Sequence, residues 1–387
     1  MYLSAFSHRD RLYHITNQWL SNQLEPAHPL IITRIISYDS FAAWQTLLRF
    51  IDALHRHITR DKLEKTVLHQ KKDLKDYLCS SCVHPTKRIR SLISDYMNMP
   101  EFYYIGSPIM GYSYHDSHQR LISLCRFKRI KRIAEKVSRY AARYIFEKML
   151  NSAGIAYQKP ENDMAHYLFC ENLIQSEQQI MLRIKEHGLQ LPVEVTTIKD
   201  VLGMKLIDYG NGENLLESFF SRYSGAQLLE KEIHSGIYNA KHYLVDLKLD
   251  SDYLIKKFSH EADHVKFTQR GLPSKQQNED FAVFMRDGSD TIQLDLILTS
   301  FEELIESEIG RSMHENRIFR QRRQQRLFGN IPVNIEYIVE YLLSVGLSAT
   351  LHIDEIPIKL WGRYLEDTLN YNIQNLYNAP GYCLIEK

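Results

Sequence analysis

The stretch that most constrains the fold is TIQLDLILTSFEELIESEIGRSMH, Thr291 to His314. Its first half alternates, with Thr291, Gln293 and Asp295 on one side and Ile292, Leu294 and Leu296 on the other. A period of two is a strand with one apolar and one polar face. An Asp in mid-strand is unfavourable, and is best tolerated where its face opens to water or to a ligand. Ser300 then supplies an N-cap, and Glu303 three residues on has capping-box spacing, so a helix is predicted through Glu308 to His314. The chain must therefore hold a sheet with one face buried and the other left polar.

The chain has 387 residues, which on a soft prior of roughly 150 per domain suggests two or three units. We expect a mainly helical N-terminal domain (1–160), an α/β domain with a mixed sheet flanked by helices (161–330) and a C-terminal α/β extension (331–387). An apolar content of 44% with 25% charged residues supports a real core. The net charge of +1 gives no global attraction to polyanions, so any RNA contact must come from local patches. No signal-peptide pattern and no run of membrane-spanning length is seen, so a cytoplasmic protein without membrane contact is expected.

Residues 40–150 read as helical. Phe41, Trp44, Leu47, Leu48 and Ile51 fall at helical spacing, and a second helix is predicted from Ser117 to Leu150. Within it, Arg126 to Arg132 (RFKRIKR) with Lys136, Arg139 and Arg143 is either a solvated helix face or a phosphate-binding patch. His115-Asp116 has the form of a metal-hydrolase His-Asp pair, but Asp at a helix start is also capping chemistry. Cys79 and Cys82 form a CxxC with no second half for a zinc site, and two cysteines near a helix end is the plainer reading.

Further on, Glu171 to Gly188 is an amphipathic helix stopped by its glycine. VEVTTIKDVLGMKLIDYG, from Val193, carries a strong strand signal. Tyr243 to Leu249 reads as a strand, and Phe281–Met285, Asp287-Gly288 and Thr291 onward as strand, turn and strand. The run RIFRQRRQQR, with Arg317 to Arg326, is a second patch suited to phosphates or a solvated helix end. Helices at Ile335–Val345 and Leu360–Tyr377 and a short strand at Ala349–Ile353 complete the expectation.

Four of these stretches, in order over roughly 165–330, resemble motifs of the RelA/SpoT-type alarmone synthetase domain, a nucleotidyltransferase-like fold. Ser176, Ile180 and Arg183 match R-x-K-S-x-x-S-I-x-x-K, with Leu173 and Gln175 in place of its Arg and Lys. Asp200-Val201-Leu202-Gly203-Met204-Lys205 is similar to D-[IL]-x-G-[IV]-R. Tyr238 and His242 match N-G-Y-x-S-[LM]-H. Gln293, Glu308, Gly310, Ser312 and His314 match E-[VI]-Q-I-R and A-E-x-G-x-A-x-H, with Thr291 at the family's catalytic Glu and Asp295 at its Arg.

The resemblance implies Mg²⁺-dependent transfer of pyrophosphate from ATP to the 3′-hydroxyl of GDP, GTP or a tRNA end. It implies Asp200 as metal ligand and catalytic residue with Gln293, and Asp295 as a stand-in for the missing carboxylate. Arg183, Lys185 and Lys205 would hold phosphates, Tyr238 would stack on the acceptor base, and His242, Glu308 and His314 would complete the substrate site. Asp200 as a turn residue and Tyr238 as a packed hairpin aromatic remain alternatives. RNA contact would run through 126–143 and 317–326. The alternative function is a catalytically degenerate nucleotide- or RNA-binding regulator of the same fold.

Overall fold

Among the described residues, seven strands form one mixed sheet: β1 (Glu64–Gln70), β2 (Pro108–His115), β3 (Leu121–Phe127), β4 (Leu202–Ile207), β5 (Ala226–His234), β6 (Ala240–Lys248) and β7 (Thr291–Thr299). Their order is β1-β2-β3-β4-β7-β6-β5, antiparallel except for the parallel pair β4–β7. This is a computed structural model, and it describes residues 6–82, 84–100, 108–127, 130–154, 163–236, 239–273, 275–310 and 330–345.

The alternation in β4 and β7 decides the layering. Leu202, Met204, Leu206, Ile292, Leu294, Leu296 and Leu298 are all buried in one large cluster. That cluster is covered by α1 (Arg9–Leu20), α2 (His28–Ile58), α5 (Ile130–Ser152), α6 (Asp163–His187), α8 (Gly212–Arg222), α9 (Ser251–Glu261), α10 (His264–Gln269), α11 (Gln277–Arg286) and α13 (Asn330–Val345). Among the described residues, the opposite face is covered at one end only. There α3 (Lys71–Ser80), α4 (Lys87–Asn98) and α12 (Phe301–Ile309) close a smaller cluster with Leu68, Leu121, Leu124 and Ile207. The rest of that face is polar.

Several local expectations are corrected. The N-terminal region supplies β1, β2 and β3, and β3 pairs with β4, so the sheet runs on across the expected boundary near Lys159-Pro160, which itself lies outside the described residues. The helix expected from Ser117 starts only at Ile130. β3 is a central strand buried on both faces (LISLCRF), and such a strand loses the alternation that identifies an exposed one. Val193–Thr196 forms a short helix, α7, and the strand begins at Leu202.

Phe281–Met285 is helical within α11, not the first arm of a hairpin. Phe281, Phe284 and Met285 sit at i, i+3 and i+4 behind an acidic first turn, and they pack inward. Tyr38 of α2 holds this packing together, with Phe258, Phe267, Phe281 and Phe284 around its ring at 5.3 to 5.7 Å. The helix at 171–188 is present within α6, and Gly188 ends it at a φ of +73° that suits glycine. The strand and helix expected after Val345 lie outside the described residues. Among the described residues, no helix is long and apolar enough to cross a membrane.

The segment before α1 fixes the start of β7. Ser289 N–H donates to the Ser7 carbonyl (2.8 Å), and Arg9 donates to the Thr291 carbonyl (3.1 Å) and to Ser289 Oγ (2.8 Å). Beneath it, the wholly buried Asp39 accepts from Ser7 Oγ and from the His8 N–H (3.3 Å). Burial pushes the Asp39 carboxyl up to about 6, against those hydrogen bonds and the nearby His8. A carboxyl raised on folding favours the folded state in its protonated form. That stability is complete below the ordinary carboxylate value and is lost as pH rises through about 6. Urea unfolding at pH 4, 5, 6 and 7 will therefore show the wild type losing stability relative to Asp39→Asn as pH rises, with the difference level above pH 7.

Candidate functional site on the polar face

Directly opposite residues in paired strands project to the same face, so the registers define rows across the polar side. One row runs Glu230, Leu244, Asp295, Gly203, Arg126 from β5 to β3. The next runs Glu232, His242, Ile297, Lys205, Leu124. On the other side of Asp295, Gln293 pairs with Asp246 and Gln227 with Asp246. Thr291 Oγ1 lies 3.5 Å from Asp246 Oδ2. Asp246 thus presents a carboxylate where Thr291 has none.

Gly203 leaves the floor between Arg126 and Asp295 bare. A Cβ there would meet only the Arg126 carbonyl, at 4.0 Å, so packing does not demand a glycine. Such a position lets a ligand approach the backbone.

Helix α12 brings the last partners. Ser300 caps it by accepting from the Glu303 N–H (3.2 Å). The Glu303 carboxylate does not close the expected capping box; it accepts from Asn239 N (3.0 Å) and Nδ2 (2.7 Å), tying the β5–β6 hairpin to the helix. At the other end of α12, Lys205 Nζ donates to Ser307 Oγ (2.8 Å) and to Glu308 Oε1 (3.0 Å), and Arg126 lies 2.8 Å from the same oxygen. Burial pushes the Glu308 carboxyl up, but Arg126 and Lys205 more than reverse this and hold it well below the carboxylate range. Burial lowers the Lys205 ammonium, partly offset by Glu308.

On β6, His242 Nδ1 lies 3.4 Å from Asp295 Oδ1, and its Nε2 is buried without a hydrogen-bond partner. His234 packs edge-on against it, ring centroids 4.4 Å apart. On the same face Lys199, just before β4, pairs with Glu230 of β5 at 3.1 Å. The pair spans β7 and β6.

The polar face thus brings together Lys205, His242, Gln293, Asp295 and Glu308 of the residues singled out in the sequence. Asp200 is held elsewhere: its carboxylate pairs with Lys136 of α5 at 2.7 Å. Arg183 and Lys185 lie on an exposed stretch of α6, which packs on α5 and α13, and the structure does not bring them to this cluster. Tyr238, His314 and the arginine run 317–326 lie outside the described residues.

The N-terminal basic stretch divides. Arg126 turns into the site, Lys136 binds Asp200, Arg139 lies 3.9 Å from Glu336 and Arg143 pairs with Glu147 at 2.8 Å. His115-Asp116 forms the β2–β3 turn, where Asp116 accepts from His118 N and Arg120 N, both at 2.9 Å. Asp116 caps backbone amides as capping chemistry predicts, but those of a turn and not of a helix. Burial pushes the Cys79 thiol up to about 11, and Cys79 and Cys82 are free.

Asp246, Glu230, Lys199 and Ser307 are site residues that sequence reasoning missed, and Arg126 was singled out only as part of a basic helix face. The usable signal was the alternation His242, Leu244, Asp246, Lys248 in β6, which puts His242 and Asp246 on one face. A cleft of about 820 Å³ lies apart from this face, lined by Arg49, Phe50, Arg56, Tyr223, Lys248 and Tyr253. No motif residue lines it, and we assign the site to the polar face because the chemically able side chains converge there.

Among the described residues, no group of three or more His, Cys, Asp and Glu side chains is arranged to hold a metal. Mg²⁺ needs no such cage, since one or two carboxylates and substrate phosphates commonly hold it. Asp246, beside Thr291, fits that requirement better than Asp200, which Lys136 already neutralises. Compared with family models, with curated proteins and with solved structures, the chain matches none.

Glu308→Gln will leave Arg126 and Lys205 without their shared carboxylate. We expect a loss of about 3 kcal/mol at pH 7, the scale for breaking a buried ion pair. Because this carboxyl is lowered on folding, its stability is present above the ordinary carboxylate range and lost as pH falls through the folded value. Urea unfolding of wild type and variant at pH 7 and pH 4 will show the gap narrowing at the lower pH.

Proposed function

We propose that the polar face is a nucleotide site and that the chain is a divergent RelA/SpoT-like nucleotidyltransferase, moving pyrophosphate from ATP to the 3′-hydroxyl of GDP, GTP or a tRNA end. One observation carries this reading. Stretches far apart in sequence (Gly203 to Lys205, His242 to Asp246, Gln293 to Asp295, and Glu308), nearly all within the motifs that resemble that family, converge on one open face of β4, β7 and β6 and the helix after β7.

Arg126 and Lys205 supply positive charge for phosphates at one side of the face. Asp295, Asp246 and Gln293 line the other, with bare backbone at Gly203 between. A bound Mg²⁺ would neutralise phosphate charge as the P–O bond changes hands. The protein's own part is to align donor and acceptor and to present fixed charges to the transition state, the main sources of rate in phosphoryl transfer.

A second reading, nucleotide binding without chemistry, is favoured by the Asp200–Lys136 pair and by Thr291. Full-length protein incubated with γ-labelled ATP, Mg²⁺ and either GDP, GTP or bulk tRNA will separate the two. Label on one acceptor, reduced about 100-fold or more in Asp295→Asn with unchanged circular dichroism and thermal midpoint, supports the transferase. ATP binding without transfer to any acceptor supports the binding protein, and undiminished transfer by Asp295→Asn removes Asp295 from the site.

A further inference from the structure

We infer that His242 is the proton acceptor of this site and that Asp295 acts through it as the positioning residue; the inference rests on the transferase reading. The geometry is that of a carboxylate–imidazole dyad. Asp295 Oδ1 is 3.4 Å from Nδ1, and the other ring nitrogen, Nε2, is buried and makes no hydrogen bond. A carboxylate beside Nδ1 holds the proton on that nitrogen and leaves a lone pair on Nε2. A buried acceptor left unpaired is a costly feature for a fold to keep, and a donor hydroxyl on a ligand would satisfy it. Hydrogen bonds within such a dyad are often long before substrate binds, so 3.4 Å is compatible with the role.

The surroundings suit proton transfer. His242 lies on the row that holds Lys205, with only Ile297 between them. The charged and titratable groups around its ring are Asp295 from β7, Glu232 and His234 from β5, and Lys205 with its partner Glu308 from β4 and α12. His234 is nearly half exposed, on an edge strand beside the β5–β6 hairpin. A second imidazole–carboxylate contact on this face, His234 with Glu232 at 3.5 Å, lies on the edge strand with both side chains about half exposed.

In the step itself, the acceptor's hydroxyl proton passes to Nε2 as the hydroxyl oxygen bonds to the β-phosphorus of the nucleoside triphosphate. The bond between that phosphorus and the oxygen bridging it to the α-phosphate breaks, and the electron pair leaves with the nucleoside monophosphate. Imidazolium then returns its proton to solvent. Asp295 holds the ring in place beside Nδ1 while the proton moves at Nε2.

The test uses the full-length protein with ATP, Mg²⁺ and whichever of GDP, GTP or tRNA accepts label. His242→Gln is expected to lower kcat about 100-fold or more while the KM for ATP changes less than about threefold, and added imidazole should restore part of the rate to His242→Ala. Asp295→Asn should lower kcat while the KM for ATP changes less than about threefold, and Asp295→Glu, which returns the carboxylate, should recover part of the rate; a merely structural role would lower the thermal midpoint without this split. As a check independent of activity, ¹⁵N spectra of the wild type should show His242 with its proton on Nδ1. Transfer by the wild type with kcat retained in His242→Gln overturns the inference and leaves the transferase reading standing. An Asp295→Asn variant restored by excess Mg²⁺ overturns it as well, since Asp295 would then be a metal ligand. Binding of ATP with no transfer by the wild type overturns both.

Discussion

The parallel pairing of β4 with β7 is the constraint on which the rest of the structure depends. Both strands carry apolar residues at every second position, and those residues must be buried on the same side. A slip of one residue would turn each apolar set to the open side and lose its burial, which at about 25 cal/mol per Å² is too costly for a strand of this length. Register is thereby pinned, and Gly203, Lys205, Gln293 and Asp295 are forced together on the opposite face. The chemistry of that face follows from core packing.

A half-covered sheet needs its second layer held without an apolar seam, and α12 does this with charge. Glu308 sits between Arg126 and Lys205, and Glu303 reaches back to the β5–β6 hairpin through Asn239. Buried ion pairs add little net stability but penalise any arrangement that separates them. The helix is thus held at one position over β3 and β4, and the cations stay on the floor of the site. The Lys199–Glu230 pair differs. Both side chains are about half exposed, so the contact is worth little.

Much of this was legible in the sequence and some was not. The strand at Thr291, the cap at Ser300, the helix ending at Gly188 and the polar side shared by Gln293 and Asp295 follow from local periodicity and capping. β3 was misread because burial on both faces erased its alternation and its basic end resembled a helix face. Phe281–Met285 was misread because an Asp-Gly pair suggested a hairpin, whereas the strand after it pairs with β6 and β4. Glu303 kept its capping spacing but found a stronger use for its carboxylate across the hairpin.

What the sequence by itself determined is which side chains each strand presents to each face, since that depends only on neighbours two residues away. Which strands lie side by side was decided by the tertiary structure alone. Arg126 meets Glu308 across more than 180 positions, Asp295 meets His242 across more than 50, and Asp200 meets Lys136 instead of the polar face. Such pairings require long loops to close before any contact rewards them, and they are chosen by the burial of the whole sheet. No local pattern carries that information, so the polar residues could be read from the chain but their partners could not.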